Sequence, residues 1–159
     1  MTVGTNAFGY VVDSTTGTDL LLGTATNKLT ASLGPDSVYA YSNDKNGYVY
    51  SNTDITTTGG KSYGLYTAGK TENYGNIDLT GGNGNVGIYS TGRSSAGLGA
   101  TNYGTITVGG TDLVAKEYGI GMATGYYNEI TGAISNEGLI ENRGTINVGK
   151  DNSIGMYAV

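Results

Sequence analysis

The sequence predicts an all-β fold, a single-stranded parallel β-helix of about six turns, and three observations predict it. Two short motifs return in the same order along 159 residues. Both alternate apolar and polar positions with a period of two, as strands do. Between them lie clusters of Asn and Gly, 29 Gly in all, the residues that tolerate tight corners.

The first motif reads Asn-x-Gly-x-Ile-x-Val/Leu. Its clear copies are Asn73 to Leu79, Asn102 to Val108 and Asn142 to Val148, with a weaker copy from Asn27 to Leu33 and a shorter one from Asn52 to Thr57. Alternation sends Ala31/Leu33, Ile55/Thr57, Ile77/Leu79, Ile106/Val108 and Ile146/Val148 to the inside. The leading residues Asn27, Asn52, Asn73, Asn102 and Asn142 fall at corners, where side-chain amides can bond from turn to turn. Asn73, Ile77, Asn102, Ile106, Asn142 and Ile146 are therefore read as a structural ladder.

The second motif follows each first one: Phe8-Gly-Tyr-Val11, Val38-Tyr-Ala-Tyr41, Tyr63-Gly-Leu-Tyr66, Val86-Gly-Ile-Tyr89, Ile120-Gly-Met-Ala123 and Ile154-Gly-Met-Tyr157. Its central residues are separated by 30, 25, 23, 34 and 34 positions, an irregular repeat of solenoid size. Strict alternation points Phe8/Tyr10, Val38/Ala40, Tyr63/Leu65, Val86/Ile88, Ile120/Met122 and Ile154/Met156 inward. No segment keeps an apolar 3.6-residue period, and Gly at this frequency opposes helix. Like residues would then stack on like residues at about 4.8 Å per turn. A sandwich or barrel gives no reason for the two motifs to recur in fixed order. Residues 1–159 are read as one β-helix segment with loop insertions near 92–100 and 125–135.

Composition removes several functions. His and Cys are absent, which excludes a Ser-His-Asp triad, a Cys nucleophile and a conventional zinc site. Eight Lys+Arg against thirteen Asp+Glu give a net charge of −5, which argues against nucleic acid as a partner. The longest apolar stretch, around Leu20 to Leu22, is too short to span a bilayer. After Met1 comes Thr-Val-Gly, with no basic and apolar leader. One segment, Gly81 to Val86, is similar to a calcium-binding nonapeptide but stands as a single copy, with Asn where Asp should be. No metal and no cofactor is expected.

The residues free to do more than hold the rod together are few. Tyr41, Tyr66 and Tyr89 occupy the outward end of the second motif in three consecutive turns and form an exposed column beside Gly64 and Gly87. Flat apolar rings edged by hydroxyls suit a sugar or a protein surface. Arg93 in the first insertion, and Tyr126 and Tyr127 beside Glu129 in the second, are further candidates, because loops on rigid scaffolds carry function. Tyr48 and Tyr50, which alternate as strand residues would, are weaker candidates.

Asn-x-Gly-Thr-Ile-x-Val followed by Gly-Met-Tyr-Ala resembles the passenger repeats of type Va autotransporters, especially fusobacterial adhesins. Asn136 to Ala158 carries the closest match and Asn102 to Ala123 the next. The resemblance covers residues 70–159 well and 1–69 loosely. It implies a right-handed β-helix displayed at the cell surface and anchored in the outer membrane through the full-length protein. The chain would then be a monomeric segment of a longer passenger. Its partners would be a host-cell or bacterial surface protein or glycan, and it would meet the membrane only through a C-terminal barrel that this sequence lacks. A chain without Cys suits export through a narrow pore.

Three functions follow: an attachment stalk or spacer, a polysaccharide-acting β-helix enzyme, and an ice-binding array. The second lacks carboxylates aligned on one strand face across successive turns. The third needs regular Thr-x-Thr, whereas the positions equivalent to Thr105/Thr107 hold Thr30/Ser32, Asp54/Thr56, Asn76/Asp78 and Thr145/Asn147. The stalk, without catalysis, is the reading the sequence supports best.

Overall fold

Each of the first five circuits supplies one strand to each of three sheets. In the computed structural model, which describes residues 1–91, 99–127, 130–135, 138–149 and 152–158 (the side chains of Tyr126, Tyr127 and Ser135 excepted), the first circuit holds β1 (Thr2–Val3), β2 (Phe8–Val12) and β3 (Leu20–Leu22). The second holds β4 (Leu29–Leu33), β5 (Val38–Ser42) and β6 (Tyr48–Ser51), and the third β7 (Thr53–Thr57), β8 (Tyr63–Thr67) and β9 (Lys70–Asn73). The fourth holds β10 (Asn76–Leu79), β11 (Val86–Ser90) and β12 (Ala100–Asn102). The fifth holds β13 (Thr105–Val108), β14 (Ile120–Thr124), a short ribbon of β15 (Tyr126–Tyr127) and β16 (Ile134–Ser135), and β17 (Ile140–Asn142). The last contributes β18 (Thr145–Val148) and β19 (Ile154–Ala158).

Equivalent strands pair in parallel into three sheets, β1-β4-β7-β10-β13-β18, β2-β5-β8-β11-β14-β19 and β3-β6-β9-β12-β17. Only the β15–β16 ribbon is antiparallel among the named strands. This is a parallel β-helix with six circuits among the described residues and no helix among them. The register puts Ile55, Ile77, Ile106 and Ile146 over one another in the first sheet. It puts Ala40, Leu65, Ile88 and Met122 in a column of the second. Together with Leu33, Leu79 and Val108 these residues form the buried core, except that Ile146 is half-buried and packs against it. In the last described circuit Val148 is 48 % and Met156 42 % exposed.

The second sheet departs from strict alternation. The first residue of each of its strands faces outward: Phe8 is 56 % exposed, and the Tyr63 ring lies 5.4 Å from Tyr66 and 6.2 Å from Tyr89. Phe8, Val38, Tyr63, Val86, Ile120 and Ile154 are therefore on the outer face, and their assignment to the interior is corrected. The cause is the next position, Gly9, Tyr39, Gly64, Gly87, Gly121 and Gly155, which turns inward together with the residue after it. A Cβ on Gly87 would stand 2.6 Å from Ile106 Cγ2 and 2.5 Å from Gly121 O, and one on Gly121 would stand 2.7 Å from Ile146 Cγ2. Glycine is required there because the first-sheet Ile of the next circuit fills its space. Tyr39 is the one side chain in that column, and small Ala40 stands beside it where the other circuits have Tyr10, Leu65, Ile88, Met122 or Met156.

A third sheet completes each circuit, and its last residues form the corner ladder. Asn73 Nδ2 donates to Asn102 Oδ1 and Asn102 Nδ2 to Asn142 Oδ1, both at 2.8 Å. Each amide also bonds the carbonyl two residues on, at Gly75, Gly104 and Gly144. Asn27 and Asn52 stand outside this ladder. Ser51 pairs with Asn73 and Leu22 with Ser51, so Asn52 belongs to the next column and donates to Thr24 O, while Asn27 lies in an exposed turn. The sequence spacing agrees, since Ser51 precedes Ile55 by the same four residues that separate Asn73 from Ile77.

Candidate functional site

Two aromatic surfaces arise from this winding. The first is the outer face of the second sheet. One column holds Val11, Tyr41, Tyr66, Tyr89, Ala123 and Tyr157, in parallel register. The Tyr41 and Tyr66 rings are 5.5 Å apart and the Tyr66 and Tyr89 rings 4.9 Å apart, tilted by 35° and 42°. Phe8 closes on Tyr41 edge-on at 5.8 Å. Phe8, Val38, Tyr63, Val86, Ile120 and Ile154 run alongside, so neither column contains a charged residue. Burial raises the Tyr63 hydroxyl above the usual phenol range. Tyr89 Oη donates to Gly125 O at 2.8 Å, which ties the column to the start of the β15–β16 ribbon. Lower down the same face, Tyr118, Ile120, Ile154 and Tyr157 line a cleft of about 420 Å³.

The second surface follows the corner after the third sheet. The residues that succeed Leu22, Ser51, Asn73, Asn102 and Asn142 are Gly23, Asn52, Tyr74, Tyr103 and Arg143. Tyr74 and Tyr103 stack face to face, 4.7 Å apart and 7° from parallel. Tyr50 leans over Tyr74 from β6 at 5.2 Å, and the Arg143 guanidinium covers Tyr103 at 5.7 Å. This strip escapes a reading by motif because Tyr74 and Tyr103 sit inside Asn-Tyr-Gly, which looks like turn sequence. The available signal was the same dipeptide at the same place in two circuits, with Tyr50 one strand end before.

Beside the strip, Glu72 is the hub of a polar cluster. Its carboxylate accepts from Tyr48 Oη at 2.7 Å and Tyr74 Oη at 3.3 Å and pairs with Lys70 Nζ at 2.8 Å. Partial burial would raise its pKa, but the Lys70 ammonium and the Tyr48 hydroxyl outweigh that and hold it below the ordinary range. Tyr48 moves the opposite way, pushed far up by burial and by the adjoining carboxylate. Glu72 thus stands ionised as an acceptor that orients two phenols.

Asp44 is buried in the long corner between the second and third sheets. It accepts backbone N–H groups from Gly17 at 2.9 Å, Thr18 at 2.8 Å and Asn46 at 2.9 Å. The Thr18 amide foremost, against the penalty of burial, holds its carboxyl below the usual range. In the Gly81 to Val86 segment, Asn85 is buried, its amide donating to Gly59 O, Leu79 O and Gly82 O while its oxygen accepts from Ser62 N. That amide is a bracket between circuits. Among the described residues no three His, Cys, Asp or Glu gather where they could hold a metal ion.

The structure brings Tyr41, Tyr66 and Tyr89 onto one face. Arg93 lies outside the described residues. Tyr126 and Tyr127 form β15, paired with Ser135 and Ile134, and their side chains lie outside the description.

A coil whose interior is aliphatic, whose corners are locked by amides and whose outer surface carries aromatic columns defines a parallel β-helix scaffold. The family of the BigA third pectate lyase-like domain matches residues 79–159, just over half of the chain, and the chain belongs to that family. It is accordingly a β-helix domain of the bacterial surface-protein kind. No curated protein and no solved structure matches it.

Proposed function

We propose that the chain is a segment of the surface-displayed passenger of an autotransporter adhesin. It acts as a β-helical stalk that attaches to host cells or other bacteria and performs no catalysis. The observation that carries this reading is the outer face of the second sheet, where two columns of apolar and aromatic residues run through every circuit without a charge. Most of these side chains are half-buried, with Phe8, Val11 and Tyr157 exposed and Val86 and Ala123 covered, and a partly exposed apolar face of that length supports an interaction surface. Membership of a bacterial surface β-helix family and the resemblance of the repeats to adhesin passengers support it further. On this reading the partner is a surface protein or glycan, the rod is monomeric, and the whole protein is anchored in the outer membrane.

One observation favours a pure spacer instead: Tyr41, Tyr66 and Tyr89 pack on one another, so the column also stiffens the sheet. The test is attachment of protein-coated beads to epithelial cells and to bacterial cells. Tyr66→Ser and Tyr89→Ser are expected to lower attachment several-fold while β-structure, followed by circular dichroism, is retained. Attachment that survives both changes, or beads that never attach, would leave the segment a spacer.

A further inference from the structure

The stacked corner ends in a cleft that neither motif foreshadows. Along the axis the order is Tyr50, Tyr74, Tyr103 and Arg143, so the guanidinium closes one end of the stack. At the other end the corner column shrinks from Tyr74 to Asn52 and then to Gly23, while the corner between β3 and β4 lengthens and brings Ala25 and Lys28 around as a lip. Ala25, Lys28, Tyr50, Asn52 and Tyr74 line the resulting space of about 570 Å³. That volume lies within the roughly 300–1,000 Å³ of small-ligand sites, which combine aromatic walls with a few placed polar groups.

We infer that this cleft is a binding site for one pyranose ring of a neutral glycan, stacked on the face of Tyr50 turned away from Tyr74, with Tyr74, whose faces are taken by Tyr50 and Tyr103, contributing to the wall only by its edge. The aromatic wall would meet the C–H face of the sugar, and the rim would meet its hydroxyls. The rim can do both kinds of hydrogen bonding. Lys28 Nζ uses one contact on Asp54 Oδ1, at 3.0 Å, and has further N–H groups; Asn52 uses Nδ2 on Thr24 O and keeps a carbonyl oxygen as acceptor. An aromatic side chain of a protein partner would fill the same slot but leave those rim groups without partners, which costs binding energy. The charges select a neutral sugar. Lys28 is paired with Asp54, Lys70 with Glu72 at 2.8 Å and Arg143 with Glu141 at 2.8 Å, and the whole chain carries −5. An anionic polysaccharide would find no unbalanced positive field.

This site is separate from the second-sheet face and stands whether or not that face attaches to cells. It is tested by saturation-transfer NMR on the purified chain with mannotriose, cellotriose and chitotriose as neutral probes, trigalacturonate as the acidic one, and the peptide acetyl-Phe-Tyr-Phe-amide as the aromatic one. Transfer to the C–H protons of at least one neutral trisaccharide is expected, with none to the other two probes. Tyr50→Ala should weaken that binding about tenfold or more, or about 1.4 kcal/mol by the affinity relation. Tyr50→Phe should retain it, and Val114→Ala, an exposed position in the β13–β14 corner outside the cleft lining, should leave it unchanged. Ala25→Phe, which fills the cleft from its rim and spares the stack, should abolish it even if Tyr50→Ala disturbs folding. Equal binding by the Ala25→Phe variant, preference for trigalacturonate or for the peptide, or silence from all three neutral sugars would overturn the proposal. Beads of the unaltered chain that never attach to cells, with sugar binding intact, would count against the stalk reading alone.

Discussion

Asn102 sits between two identical bonds, accepting from Asn73 at 2.8 Å on one side and donating to Asn142 at 2.8 Å on the other. Asn102 and Asn73 are fully buried, so each bond also satisfies a group that water cannot reach. Asn102→Ala should therefore cost about 2–3 kcal/mol, since it leaves the Asn73 amide with one partner fewer as well as losing its own bonds. Asn142→Ala, at a half-buried site with one ladder neighbour, should cost about 1 kcal/mol. Urea denaturation of the two variants checks the order.

The ladder stops one rung early. Ser51 occupies the next place, and both its Oγ and Asn73 Oδ1 are buried without a hydrogen-bond partner. Ser51→Asn should supply the missing donor and stabilise the protein by about 0.5–1.5 kcal/mol. A lower urea midpoint for this variant would show that the corner has no room for a fourth amide.

The inward glycine column should be intolerant of even one carbon. Gly87→Ala should destabilise by about 1–3 kcal/mol, because its Cβ would overlap Ile106 and the Gly121 carbonyl. Gly4 meets nothing within 4 Å and makes the control: Gly4→Ala should be neutral or raise stability by up to about 1 kcal/mol. At the exceptional position, Tyr39→Phe should lose only the 3.0 Å bond to Thr53 Oγ1, about 1 kcal/mol. Thermal melts of the three variants separate these cases.

Asp44 should make stability depend on pH at the acid end. Its carboxyl is held below the ordinary range in the folded chain, so the unfolded chain binds its proton first as the pH falls. Its contribution is therefore present above the ordinary Asp range and disappears as the pH drops through the lowered folded value. Asp44→Asn should weaken the protein at neutral pH and flatten that acid limb. Unfolding curves between pH 2 and about 7 measure both effects, and parallel acid limbs for the two proteins would refute the assignment.

The first sheet was legible residue by residue because its motif obeys a period of two and keeps its Ile in register. The second was legible as strands but not in which way they face. Gly9, Gly64, Gly87, Gly121 and Gly155 carry no side chain to mark direction, so counting by twos across them reversed Phe8, Tyr63, Val86, Ile120 and Ile154, and the shared register reversed Val38 with them. The third sheet shares no motif: Leu20–Leu22, Tyr48–Ser51 and Lys70–Asn73 have almost nothing in common but position. Short strands with mixed composition leave no periodic signal, and the register that unites them comes from the two sheets on either side. For the same reason the Tyr50, Tyr74 and Tyr103 stack could not be assembled from spacing, since its members come from two different columns.

Corner length and strand pairing are independent of each other here. Two residues join β8 to β9, nine separate β11 from β12, and fifteen separate β14 from β17, yet Ser90 still pairs with Thr67 and Thr124, and Thr71 with Ala100. The rod can therefore serve as a display frame. A foreign peptide spliced in place of the Ala68-Gly69 corner would be carried at a chosen height and azimuth, and a series of such grafts would work as a molecular ruler graduated in single circuits.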